Sequence, residues 1–78
     1  MNVLLMAEST IIIYTHPDCE YSTTLKNELD KSKAKYKEID ISIVPGATEE
    51  LLQITKGQRI TPVILEGKRV TIGFYGVG

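Results

Sequence analysis

Ile11-Ile12-Ile13-Tyr14-Thr15-His16-Pro17-Asp18-Cys19-Glu20-Tyr21-Ser22 is the stretch on which the reading of this chain turns. Its opening part, residues 10–15, carries apolar side chains on both alternating faces from Ile11 to Tyr14, the pattern of a buried central strand. His16-Pro17-Asp18 then makes a short loop. Over residues 20–33 the sequence turns polar, with Tyr21, Leu25 and Leu29 at i, i+4 and i+8, which predicts a helix with one thin apolar stripe. Cys19 therefore falls where a strand gives way to a helix. Free N–H groups and the positive end of the helix dipole favour a thiolate there, and such placement moves a thiol from a pKa of about 8.5 towards 7 or lower. The competing reading of a lone cysteine is a small, buried, inert hydrophobe.

Working outward, residues 35–41 alternate as a second strand, with Ile39 and Ile41 on one face and Tyr36 on the other. Pro45-Gly46 breaks the pattern, and Thr48 followed by Glu49 and Glu50 suits the first turn of a second helix, because acidic groups complement its dipole. Leu51, Leu52 and Ile54 then face inward, and Gly57 is placed to end the helix in a left-handed conformation. Residues 62–65 and 69–72 flank Glu66-Gly67-Lys68 as a hairpin. The order is β-α-β-α-β-β. Strands joined through a helix are expected to be parallel with a right-handed crossover, and the last pair antiparallel. A mixed four-stranded α/β sheet with helices on both faces follows.

Seventy-eight residues make a single domain, 1–78, with residues 1–8 as an extension that includes the apolar Val3, Leu4 and Leu5. A domain of this size buries roughly 60% of the surface its unfolded chain exposes, so the core is small. One cysteine excludes an internal disulfide and a Cys/His zinc cluster, and it suits a reducing, cytoplasmic setting. A net charge of −1 provides no broad attraction to nucleic acid or anionic membranes. The opening residues lack a basic n-region and a cleavage-like site. No run approaches the roughly 20 apolar residues that span a bilayer. The expectation is a soluble protein with neither nucleic acid nor membrane as partner. Lys31, Lys33, Lys35 and Lys37 cross a helix end and a strand start, and read as solvated surface.

Three separated motifs resemble the glutaredoxin branch of the thioredoxin-like family. Tyr14 through Ser22 is similar to the family's strand, loop and Cys-x-Tyr-Cys site; Gly57-Gln58-Arg59-Ile60-Thr61-Pro62-Val63 resembles its cis-proline segment; and Ile72-Gly73-Phe74 resembles the glycine turn after its last strand. The wording is nearest to small redoxins of the YruB and NrdH types. The resemblance implies a thioredoxin-like fold, a cis bond before Pro62, and the backbone N–H and C=O of Thr61 left open beside Cys19. An extended cysteinyl substrate would add there as a strand.

Ser22 stands where the family often has a resolving cysteine, so the implied chemistry is monothiol. In it the Cys19 thiolate attacks a mixed disulfide, expels a thiolate, and is released by a second small thiol, usually glutathione in the family. No cofactor or metal is required; the expected partners are glutathione or another small thiol and a protein disulfide. The Ser22 hydroxyl either donates to the thiolate or only adds polarity to the helix start. Tyr21 either walls the site or packs beneath the helix. Arg59 either takes a carboxylate bidentately or is a solvated loop arginine.

The chain departs from the family at several points. His16 replaces a lysine that pairs with a glutathione carboxylate, and histidine is only partly charged near neutrality. Asp18 and Glu20 flank the cysteine, and like charge disfavours a thiolate, so a less acidic thiol than in typical relatives is expected. Phe74-Tyr75-Gly76-Val77-Gly78 lacks the acidic residue that follows the glycine turn, and the C-terminal helix is missing. Bare apolar surface is expected as a result, covered by Val3, Leu4 and Leu5 or by pairing of two chains as a homodimer. The site residues expected are Cys19 and Ser22 as catalytic groups, with His16, Tyr21, Arg59, Thr61, Pro62 and Gly73 for substrate. Two other classes compete with the redox enzyme. One is an iron–sulfur carrier in which two chains and two glutathiones share a cluster, although its usual Cys-Gly-Phe-Ser differs from Cys19-Glu20-Tyr21-Ser22 at both middle positions. The other is a redox-inactive module that binds peptides along Thr61-Pro62.

Overall fold

Six elements follow one another in the expected order: β1 (Ile11–Thr15), α1 (Glu20–Lys31), β2 (Tyr36–Asp40), α2 (Ala47–Ile54), β3 (Val63–Glu66) and β4 (Arg69–Ile72). They come from a computed structural model that describes residues 10–73. The sheet order is β2-β1-β3-β4. β1 lies inside it, parallel to β2 with Ile13 opposite Glu38, and antiparallel to β3 with Ile13 opposite Ile64. An interior strand has neighbours on both edges and helices over both faces, which is why Ile11 to Tyr14 is apolar throughout.

Alternation along the strands sorts the core into two layers. Tyr14, Ile41, Ala47, Leu51 and Val63 form the buried cluster under α2, with Ile12, Ile39 and Ile54 packed against it. Ile13 points to the opposite face, where Leu25 of α1 is also buried. On that side a groove of about 290 Å³ runs between α1 and the β3–β4 hairpin, lined by Leu25, Glu28, Leu29, Ser32, Ile64, Thr71 and Gly73. The segment expected to cover bare apolar surface, Val3 to Leu5, and the last residues, Phe74 to Gly78, lie outside the described residues.

Four expectations are corrected. Tyr21 is not part of the apolar stripe of α1: it is 41% exposed, while Ser22 is 1% exposed and takes the inward position with Leu25 and Leu29. The helix axis is turned so that the residue next to the sheet at its first turn is small and polar. Leu52 of α2 is only half-buried, since the inward positions of this short helix go to Ala47, Leu51 and Ile54.

The stop of each helix also differs. α1 ends at Lys31, two residues before the expected 33, because Lys33 adopts a left-handed conformation (φ 59°). The Lys33 N–H then bonds the Asp30 carbonyl and the Ala34 N–H the Leu29 carbonyl, which is a Schellman closure. In α2 the same closure places Lys56 (φ 58°) at the position expected of Gly57, with Gly57 (φ 96°) one residue later donating to the Leu52 carbonyl at 2.7 Å.

The fourth correction concerns the second crossover. β3 is antiparallel to β1, hence also to β2, so the segment from β2 through α2 does not make a parallel unit. Eight helical residues rise about 12 Å, and residues 55–62 bring the chain back to the end of the sheet where β1 stops. That return delivers Thr61 to Cys19. β3 and β4 then form a hairpin through Gly67-Lys68, where Gly67 alone has positive φ (63°), the pattern of a type II′ turn.

Candidate functional site

Pro17 occupies the second position of a turn that its fixed φ favours, and the Cys19 N–H closes that turn on the His16 carbonyl at 3.0 Å. Cys19 is thereby the N-cap of α1, in extended backbone (φ −99°, ψ 111°). An N-cap residue normally carries a side-chain oxygen that accepts from the N–H groups of the second and third helical residues. Here those residues are Tyr21 and Ser22, and the acceptor offered to them is sulfur.

The neutral thiol makes a different bond: its S–H donates to the Thr61 carbonyl at 3.1 Å. The carbonyl expected to stand open is therefore engaged. Thr61 precedes a cis peptide bond to Pro62, which is buried, and the Pro62 carbonyl accepts from the Gly73 N–H at 2.7 Å. Burial pushes the Cys19 thiol up, but hydrogen bonds to the sulfur from the Thr61 and Ser22 side chains and from the Ser22 and Tyr21 backbone outweigh it. The net direction is down from the ordinary thiol value. Proton loss breaks the bond to the Thr61 carbonyl and lets the sulfur accept the helix N–H groups instead. Hydrogen bonds to the sulfur are what lower the pKa against the effect of burial.

Ser22 Oγ accepts the His16 N–H at 3.3 Å, tying the first turn of α1 back to the loop. His16 Nδ1 accepts the Asp18 N–H at 3.1 Å. Nδ1 also approaches the Asp18 carboxylate at 3.9 Å. Asp18, Cys19, Glu20 and Tyr21 line an open cleft of about 420 Å³. Tyr21 thus stands on the cleft side of the helix.

Cys19, Ser22, His16, Tyr21, Thr61 and Pro62 converge at one end of the sheet. Arg59 does not line the cleft and is exposed, and Gly73 lies in the groove on the α1 side with its N–H already taken by Pro62. Sequence reasoning missed Thr55. It is 2% exposed, and its hydroxyl proton is shared between the Leu51 and Gln58 carbonyls at 2.8 and 2.6 Å while its oxygen accepts the Gln58 N–H at 3.0 Å. This hub sets the course of the loop that reaches Thr61. A threonine just after a helix is common in loops, so composition carried no signal. Also missed was Glu38, which accepts from the buried Thr15 hydroxyl at 2.7 Å and from Lys26 at 3.0 Å, pinning β1, α1 and β2 together beneath the site.

The glutaredoxin family profile matches residues 11–70, spanning both the cysteine turn and the cis-proline loop. The chain belongs to the glutaredoxin family. Its fold is similar to that of the glutaredoxin-like protein NrdH-redoxin from Escherichia coli, at 31% identity and TM-score 0.73 over 83% of each chain. Glutaredoxin from Brucella melitensis is 31% identical over 82% of this chain and 68% of its own, with TM-score 0.64. A glutaredoxin from Archaeoglobus fulgidus shares the fold at 16% identity, with TM-score 0.75 over 95% of this chain and 85% of its own. No individual curated protein matches the sequence. Among family members the single Cys19 makes this glutaredoxin a Cys-x-x-Ser variant. No helix among the described residues is long and apolar enough to cross a membrane.

Proposed function

We propose that this glutaredoxin is a thiol-disulfide oxidoreductase that works by a monothiol route on mixed disulfides of glutathione or another small thiol. The observation that carries the reading is the position of the Cys19 sulfur. It lies at the N-cap of α1, against Thr61, with its pKa held down by hydrogen bonds. In the first step the Cys19 thiolate attacks one sulfur of the mixed disulfide; the old S–S bond breaks and its electron pair leaves on the expelled thiolate. A second small thiolate then attacks the new Cys19 disulfide and restores the enzyme. Ser22 keeps the loop and the first turn together. The backbone of Thr61 aligns an extended cysteinyl substrate, His16 and Tyr21 border it, and Arg59 meets a carboxylate farther out. No cofactor is needed, and the reducing cytoplasm is the working compartment.

Incubation with glutathione disulfide, followed by mass measurement, tests this directly. One glutathione adduct on Cys19, removed by excess glutathione and absent in Cys19→Ser, is the expected result. A chain that stays unmodified at pH 8 overturns the reading.

A further inference from the structure

The cleft has a charge that the mechanism does not use. Among the described residues that line it, Asp18 and Glu20 bear carboxylates beside the reacting cysteine and Tyr21. Both carboxylates are exposed, Asp18 at 93%. The nearby His16 accepts the Asp18 N–H through Nδ1, and the same nitrogen stands 3.9 Å from the Asp18 carboxylate, beyond hydrogen-bond distance. Among the described residues no cation lines the cleft: Lys26 is paired with Glu38, and Arg59 lies on the Thr61 side, outside it.

Asp18 and Glu20 are the chain neighbours of Cys19, with Cα atoms about 3.8 Å from its own, and they line the same cleft, so a substrate group held there on the Cys19 sulfur shares the cleft with two negative charges. At about 7 Å in water one carboxylate changes the stability of a unit charge by roughly threefold. Two carboxylates acting together favour a cation by roughly tenfold and disfavour an anion by a similar factor. Resting on the redox reading above, we infer that this cleft selects cationic disulfides: a cysteine flanked by Lys or Arg, or a small aminothiol, is a better substrate than an anionic one such as glutathione disulfide.

The exchange is the same for every substrate. Cys19–S⁻ and R–S–S–R yield Cys19–S–S–R and R–S⁻, with the disulfide as the oxidant and the electron pair leaving on the expelled sulfur. Only the charge on R varies. The test uses three small disulfides carrying ammonium, hydroxyl or carboxylate ends: bis(2-aminoethyl), bis(2-hydroxyethyl) and bis(carboxymethyl) disulfide. Each rate with the native chain is divided by the rate of the same disulfide with 2-mercaptoethanol, which removes differences in leaving group. The ratio between substrates also cancels the thiolate fraction of Cys19.

The expected result at low ionic strength is a cation-over-anion preference of about fiftyfold, the product of the gain for the cation and the loss for the anion, shrinking towards unity near 0.5 M salt, where screening acts within a few ångströms. In Asp18→Asn/Glu20→Gln the preference falls to about threefold or less. Equal or inverted rates in the native chain, with all three disulfides reacting, overturn the selection and leave the oxidoreductase reading standing. A preference that survives the double substitution overturns its assignment to these two residues. Inertness towards all three overturns the oxidoreductase reading, and the selection with it.

Discussion

Helix α1 begins at Cys19 in extended backbone, whereas helix α2 begins at Gly46 in left-handed backbone (φ 79°), and neither N-cap side chain makes a capping hydrogen bond. Both carry acids in the first turn, Glu20 in one and Glu49 and Glu50 in the other. Both stop in a Schellman closure with a left-handed lysine. The dipole at their starts is thus a shared property, and it makes no site at Gly46. What separates them is an ionisable group at the cap of α1. Reactivity in this protein is a property of the capping atom, and its acidity is tied to how well the helix start is capped.

Replacing that atom gives the largest effect. Cys19→Ser abolishes disulfide exchange, a loss of three or more orders of magnitude, since no other thiol is present in the chain. The same substitution supplies a capping oxygen and raises stability at pH 7 by about 0.5–1 kcal/mol, read by urea denaturation. The pH dependence separates the two chains further. A thiol whose pKa is lower in the folded state binds fewer protons there than in the unfolded chain. Native stability therefore rises with pH from the depressed pKa up to the ordinary thiol value, and that contribution disappears as pH falls through the depressed pKa. Cys19→Ser flattens this slope. Equal slopes in the two chains would break the link between cap and acidity.

Ser22→Ala sharpens the comparison from one turn inside α1. It leaves the His16 N–H without its acceptor and costs about 1–2 kcal/mol. The same change raises the pKa read from Cys19 alkylation, which a merely structural serine would leave unmoved. At α2 the mirror of the cap substitution has the opposite sign. Gly46→Ser puts a side chain on left-handed backbone and costs about 1 kcal/mol despite adding a capping hydroxyl. The smallest effects belong to the shared stops. Lys33→Gly and Lys56→Gly each relieve a left-handed lysine and stabilise by about 0.5–1 kcal/mol, with exchange rates unchanged in both.

Much of this was legible in the residues. Ile11 to Tyr14 announced a central strand, and the change to a polar, period-four pattern placed Cys19 at a helix start. Gly67 marked the hairpin. What the residues did not reveal depended on tertiary direction. Tyr21 and Ser22 are neighbours on the helix surface, and pattern alone favoured the larger apolar side chain inward, whereas proximity to the sulfur and the His16 backbone drew the serine in. Local rules predicted a parallel return after α2, and the path through Thr55 to Thr61 reversed it. Lys33 and Lys56 took conformations that sequence assigns to glycine, because the closing hydrogen bonds from Lys33, Ala34, Lys56 and Gly57 compensate the left-handed backbone.

The central claim is that Cys19 is a capping thiol whose pKa is held below the ordinary thiol value by hydrogen bonds to its sulfur. Its alkylation rate by iodoacetamide, followed from pH 4 to 10 beside an unstructured cysteine peptide in the same buffers, tests it most directly. The account predicts a titration midpoint below that of the peptide and a further upward displacement in Ser22→Ala. A midpoint at or above that of the peptide would contradict it.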